Sequence, residues 1–231
     1  MPFGFPIFLE LTGKRSVVIG NDAIREHRVQ DLLAAGADDI LVVATGPGPD
    51  LEAVEDLGGV TVERRGWQAD DLNGAFLCVA ASRDAGERTA IAREARCRRV
   101  LVNVMDDIPN CDWSTPSIVR RGELTVAIAT GGASPALSKQ LRLRLSETFG
   151  EEWAEILVVL RRVREETMEA LPDFSTRAKR WAEALDIDEA IALVRAGDAG
   201  ELARRLKDRL LRVPDARMRD GDTNGDGTGT A

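Results

Sequence analysis

Histidine is almost missing from this chain of 231 residues. His27 is the single imidazole, and one isolated ring in a helical segment reads as structural before it reads as a metal ligand. Cysteine is scarce too. Cys78, Cys97 and Cys111 are odd in number, widely spaced and form no CxxC pair, so neither a disulfide framework nor a zinc site is indicated. Cys78 lies in an apolar run and is expected in the core. No apolar run approaches the ~20 residues that span a bilayer, so no membrane association is expected. Met1-Pro2-Phe3 lacks the basic start of a secretory leader, which makes the cytoplasm the expected location. A basic excess is also lacking. The formal net charge is -8, and a general nucleic-acid binder needs a positive face. Trp67, Trp113, Trp153 and Trp181 are too scattered to form a base-stacking platform.

What is present is an ordinary globular composition, with 44% hydrophobic and 30% charged residues. The first half alternates strand and helix. Ser16 to Gly20 is an apolar run ending in glycine, followed by helical spacing from Asp22 to Ala35. Ile40 to Ala44 is a buried strand, closed off by Gly46-Pro47-Gly48-Pro49 before a short helix from Leu51 to Leu57. Thr61 to Glu63 is a weaker strand, Phe76 to Ala81 a strong one, Glu87 to Arg98 a helix, and Val100 to Val104 a fifth strand. Short apolar strands separated by helices predict a parallel, doubly wound sheet.

After Asp106 the pattern changes. Ile118-Val119 and Leu124 to Ala129 read as a hairpin joined through Arg121-Gly122. Ser134 is a natural N-cap with Pro135 at the first helical position, opening a helix to about Phe149. Helical spacing then continues from Glu151 to about Leu171, breaks at Pro172-Asp173, resumes from Ser175 to Leu185 and goes on in shorter pieces to Arg212. The fold class is therefore α/β. A Rossmann-like parallel sheet domain (1–113) is followed by a small α+β domain (114–150), a helical domain (151–213) and a polar, glycine-rich tail (214–231) unable to bury enough surface to order itself. In that tail Asp220, Asp222, Asn224 and Gly225 match the start of a calcium loop, but its twelfth position is Ala231 instead of glutamate, and disorder is the expectation.

Chemistry concentrates between Asn103 and Pro135. Asp106 follows the fifth strand at the carboxyl edge of the sheet, where open α/β folds place ligands, and an acid there suits general acid–base work or turn formation. Between Ser114 and Ser146, Arg120, Arg121, Lys139, Arg142 and Arg144 face a single acid, Glu123, as an anion site or a solvated helix face would. At the first βα turn, Gly20, Asp22 and Arg25 occupy the three dinucleotide fingerprint positions, so one glycine is present. Asp22 would cap the helix with a carboxylate that competes with a pyrophosphate for the same N–H groups.

Three blocks carry a resemblance: Asn103-Val104-Met105-Asp106-Asp107, Pro116-Ser117-Ile118-Val119, and Ala127 to Pro135, which reads AIATGGASP. Together with Pro6-Ile7-Phe8 and the element order over Phe5 to Phe149, they resemble the sirohaem synthase family in its precorrin-2 dehydrogenase and sirohydrochlorin ferrochelatase module. The resemblance implies a homodimer in which an NAD-binding Rossmann domain, a dimerisation domain (114–150) and a helical domain enclose a tetrapyrrole. It also implies NAD-dependent oxidation of precorrin-2 to sirohydrochlorin, with ferrous iron as a further substrate in some members. The family's key aspartate falls on Asp106, as proton acceptor in the oxidation and helper in metal insertion. Its cofactor turn falls on Gly20, Asn21, Asp22, Ala23 and Ile24, its ribose contacts on Thr45 and Gly46, and its fourth-strand hydroxyl on Ser82. Substrate contacts fall on Asn103, Ser117, Arg120, Thr130, Gly131, Gly132 and Ser134; a resident metal site is not implied. The family's usual three consecutive glycines read Gly20-Asn21-Asp22 here, and the acid or amide after the strand-four hydroxyl is Arg83. Its additional methyltransferase domain has no counterpart within these 231 residues. A metal-inserting enzyme without NAD and a non-catalytic tetrapyrrole binder fit the same blocks.

Overall fold

The computed structural model describes residues 5–20, 25–44 and 49–212. Asn21, Asp22, Ala23, Ile24, Thr45 and Gly46, and the tail from residue 213, lie outside the described residues.

Five strands, β1 (Ser16–Ile19), β2 (Ile40–Val43), β3 (Val60–Glu63), β4 (Leu77–Ala80) and β5 (Leu101–Val104), form one sheet in the order β3-β2-β1-β4-β5. Every pairing is parallel, with Ile19 level with Val43 on one side and with Ala80 on the other. The sequence run Ser-Val-Val-Ile is buried at every position because side chains of a central strand alternate between two covered faces. Val18, Ile40, Val42 and Val79 pack with Val29 and Leu32 of α1 (Arg25–Ala34) and Val54 of α2 (Pro49–Glu55). Val17, Ile19, Leu41, Cys78 and Val102 pack with Ile91, Ala92 and Ala95 of α3 (Ala85–Cys97). The sheet is therefore doubly wound. Burial pushes the Cys78 thiol up to about 12, as a core cysteine requires. Strand order reverses direction between β1 and β4, and this makes their carboxyl ends the switch point of the sheet.

The second compact unit contains β6 (Ser117–Arg121), β7 (Leu124–Ile128) and the helices α4 (Pro135–Thr148), α5 (Glu152–Thr167), α6 (Phe174–Ala184), α7 (Ile187–Arg195) and α8 (Ala199–Leu211). β6 and β7 are antiparallel, with Val119 opposite Val126. Ile156, Val159, Val163, Val194, Leu202, Leu206 and Leu210 form one core from α5, α7 and α8. The segment expected as shorter pieces resolves into two helices, α7 and α8, each amphipathic and sharing Glu189, whose carboxylate pairs with Arg205 and Arg209 at 2.7 and 2.6 Å. The helix expected to reach Leu171 ends at Thr167, whose buried hydroxyl turns back to the Val163 carbonyl at 2.8 Å. Among the described residues, no helix is long and apolar enough to cross a membrane.

Candidate functional site

The end of β5 is held by an arrangement that no periodicity announces. β5 is an edge strand, so the backbone groups of Val102 and Val104 that point away from β4 need partners or they invite another strand. Residues 111–113 supply them. The Asp112 N–H donates to the Val102 carbonyl at 2.7 Å, and the Val102 N–H donates to the Asp112 carboxylate at 3.2 Å. The Val104 N–H donates to Cys111 Sγ at 3.1 Å, and that thiol lies 3.1 Å from the Val104 carbonyl oxygen. Trp113 Nε1 donates to the Leu101 carbonyl at 3.3 Å. Asn103, only 8% exposed, donates its side-chain amide to the Trp113 carbonyl at 2.8 Å. Its amide nitrogen is thus committed to the strand edge.

Asp106 emerges from this clamp two residues beyond β5. It is exposed, and its φ of 56° places it in the left-handed region that non-glycine residues rarely enter. Aspartate tolerates that region better than most, at a cost of order 1 kcal/mol that neighbouring contacts must offset. On one side the Met105 N–H donates to the Ala80 carbonyl at 3.1 Å; on the other the Asp107 N–H donates to the Val104 carbonyl at 3.3 Å. Asn110 Nδ2 also donates to the Asp107 carboxylate at 2.8 Å, closing the loop. Gly131–Ala133 packs with this same unit, and a Cβ built on Gly132 would meet Ile108 Cδ1 at 3.7 Å. Asp106 and the glycine turn are therefore parts of one neighbourhood. Gly131 and Gly132 have φ of 61° and 80°, the conformation their lack of Cβ permits.

At the switch point, Gly20 has φ of 136°, and a Cβ there would fall 2.3 Å from the carbonyl carbon and oxygen of Ala81. Only glycine lets the chain leaving β1 cross so close to the chain leaving β4. Ser82 is buried, 4% exposed. Its hydroxyl bonds to the Glu87 carboxylate and accepts the Asp84 N–H at 3.1 Å, while its carbonyl accepts Arg88 Nη1 at 2.9 Å. All three contacts fasten the start of α3.

The other predicted contacts belong to the second unit. Ser117 opens β6 opposite Ile128, and Arg120 stands in β6 opposite Thr125 with no ion pair to a described residue. Thr130 Oγ1 lies 3.0 Å from Ser138 Oγ, and Ser134 Oγ caps α4 by accepting the Leu137 N–H at 3.1 Å. Arg121, 18% exposed, is used internally: its guanidinium donates to the Arg120 and Ser146 carbonyls and pairs with Glu151 at 3.2 Å. Arg120 is thus the freer of the two arginines. Among the described residues, no three His, Cys, Asp or Glu side chains gather as a metal-ligand set.

Comparison with known proteins gives this arrangement a family. The family described as "Putative NAD(P)-binding" matches residues 7–117. Siroheme synthase 1 of Serratia proteamaculans is 31% identical over 89% of this chain and 43% of its own length. The siroheme synthase of Chromobacterium violaceum is 31% identical over 88% of this chain and 43% of its own. The solved structure of SirC, precorrin-2 dehydrogenase, superposes with a TM-score of 0.69 at 25% identity, covering 89% of this chain and all of that one. The chain belongs to the sirohaem synthase family. It spans less than half the length of the curated relatives it matches.

Within this family member, sequence reasoning missed Cys111, Asp112 and Trp113 as the residues that close the β5 edge. The available signal was topological: an edge strand followed within ten residues by a cysteine, an acid and an indole has partners at hand for its unpaired groups.

Proposed function

We propose that this chain oxidises precorrin-2 to sirohydrochlorin with NAD as hydride acceptor. The observation that carries the reading is Asp106, exposed at the carboxyl end of β5 in a left-handed conformation, with the Gly131–Ala133 turn packed in the same neighbourhood. Oxidation removes a hydride and a proton from the macrocycle. The chain's own part is to take the proton, and an exposed carboxylate on a hydrogen-bonded loop suits that role. Asp106 accepts it on a carboxylate oxygen and releases it to water.

What supports a dinucleotide here is topology: the strand order places a switch point between β1 and β4. A Cβ at Gly20 would overlap the Ala81 backbone, so glycine there lets the chains leaving β1 and β4 run close together at the edge where open α/β sheets take nucleotides. NAD bound there supplies the acceptor for the hydride. Gly20, its N–H bonded to the Val43 carbonyl at 3.0 Å, would set the course of the turn beside it, and Ser82, with its hydroxyl and carbonyl committed to α3, would fix the wall. In the first unit the Gly131-Gly132 turn offers backbone N–H groups to the carboxylates of such a substrate, and in the second unit Arg120 is a cation of matching charge. Asn103, Ser117, Thr130 and Ser134 shape the supporting strands and helix start.

A homodimer fits the same reading. α4 buries none of its residues, and its Leu137 and Leu143 are 45% and 48% exposed. A second copy is the partner proposed to cover them, and sedimentation at micromolar concentration should give twice the chain mass.

Anaerobic incubation of the purified protein with precorrin-2 tests the activity. The expected result is sirohydrochlorin and NADH in equal amounts with NAD, and neither without it. A second reading, ferrous iron insertion into sirohydrochlorin without nucleotide, is favoured by Asn21 and Asp22 standing where the family has glycines. It would be supported by metal insertion above the uncatalysed rate in a protein that does not bind NAD.

A further inference from the structure

We propose that Cys111 is a positioning residue for Asp106, acting through the two backbone groups of Val104; this rests on the reading of Asp106 as proton acceptor. One sulfur atom serves both groups. It accepts the Val104 N–H at 3.1 Å, and its S–H donates to the Val104 carbonyl at 3.1 Å, with the Asp107 carbonyl a more distant alternative at 3.4 Å. Cys111 is itself fixed by its own N–H, which donates to the Ile108 carbonyl at 3.0 Å.

The Val104 carbonyl that Cys111 holds also receives the Asp107 N–H. Two residues before Asp106 and one residue after it are thus tied to the same point, and the intervening backbone is left with the left-handed φ of Asp106 as its solution. Releasing the sulfur frees Val104 and Asp107 together. Asp106 can then relax to an ordinary negative φ, which swings its carboxylate away from where a substrate proton would be met.

The surroundings favour a hydrogen-bonding thiol over a reactive one. Burial pushes the Cys111 thiol above its ordinary value, and the Asp107 and Asp112 carboxylates push the same way, against the Val104 N–H and Arg96. The proton needed for the Val104 carbonyl therefore stays on sulfur at neutral pH. Serine preserves both a donor and an acceptor but has a shorter bond to Cβ and less reach, so it should restore most but not all of the function.

The test compares Cys111→Ala and Cys111→Ser, alone and combined with Asp106→Asn, in the full chain. In turnover of precorrin-2 with NAD, Cys111→Ala should lower kcat about tenfold with both KM values little changed, and Cys111→Ser should recover most of the loss. Combined with Asp106→Asn, Cys111→Ala should cost nothing further, because a residue acting through Asp106 has nothing left to position. Unchanged kcat in Cys111→Ala, or an equal further loss in the double variant, would overturn the proposal. Amide hydrogen exchange provides an arm independent of turnover. Exchange at Val104 and Asp107 should quicken about tenfold in Cys111→Ala. A wild-type protein that makes no sirohydrochlorin would sink the dehydrogenase reading alone; unchanged exchange would sink the clamp whatever the turnover.

Discussion

The carboxyl ends of β1 and β5 belong to one sheet, yet they are built on different principles. At the end of β1 the decisive feature is a missing atom: a Cβ on Gly20 would fall on the Ala81 carbonyl, so glycine is required by the crossing of two strands, with or without a ligand. At the end of β5 the decisive feature is an added constraint. A non-glycine residue, Asp106, is held in a conformation glycine would adopt more easily, by bonds from Ala80, Val104 and Cys111. A motif glycine can thus report packing, whereas Asp106 keeps a carboxylate at a strand end where glycine would cost less. The β5 end is accordingly the better evidence for chemistry.

The largest expected effect separates the two ends. Asp106→Asn keeps the size and the tolerance of a left-handed turn but removes the proton acceptor, and should lower kcat by about 10²–10⁴-fold with thermal stability unchanged. A loss under tenfold would place the proton transfer elsewhere. Gly20→Ala should do the reverse and act first on the fold. The overlap with Ala81 forces β1 and β4 apart, and urea unfolding should show a loss of about 3 kcal/mol. Undiminished stability would mean that the β1 end is looser than its geometry implies.

A smaller effect tests whether a carboxylate away from both ends is purely structural. Asp71 is buried and bonds Arg65 at 2.6 and 2.9 Å; that guanidinium, followed by the Gln68 N–H, holds its carboxyl below the usual range against the cost of burial. The folded-state pKa is depressed, so the contribution is fully present above the unfolded value near 4 and is lost as pH falls through the lower folded one. Asp71→Asn should lower stability by about 1–2 kcal/mol at neutral pH and flatten the acid limb of the stability profile, with kcat unaffected. The smallest effect is expected at Arg120, which makes no ion pair to a described residue. Arg120→Gln should raise KM for the tetrapyrrole about three- to tenfold and leave NAD affinity and stability as they were.

Much of the fold was legible because buried parallel strands write themselves as short apolar runs. Ser16–Ile19, Ile40–Val43 and Leu77–Ala80 were located within a residue or two, and Ser134 with Pro135 marked the start of α4 correctly. Asp106 was legible as a position, since a strand end at the carboxyl edge can be counted out from the sequence. Its conformation was not, because the bonds that flank Asp106 run to Ala80, far along the chain, and to Cys111, whose thiol no periodicity marks as a partner of Val104. The commitments of Ser82 to Glu87 and of Asn103 to Trp113 were illegible for the same reason: a polar residue at a strand end reads alike whether it faces a ligand or a neighbouring loop. Ser134 and Pro135 announced α4 but gave no hint that none of its residues is fully buried.

Ligand-dependent amide exchange on the wild-type protein, with NAD and sirohydrochlorin added separately, tests the division between the two strand ends most directly. NAD should protect residues 19–20 and 81–83, and sirohydrochlorin should protect 104–111 and 131–133, each leaving the other's segment as it was. Protection by both ligands confined to α5–α8, or no protection at either strand end, would contradict it.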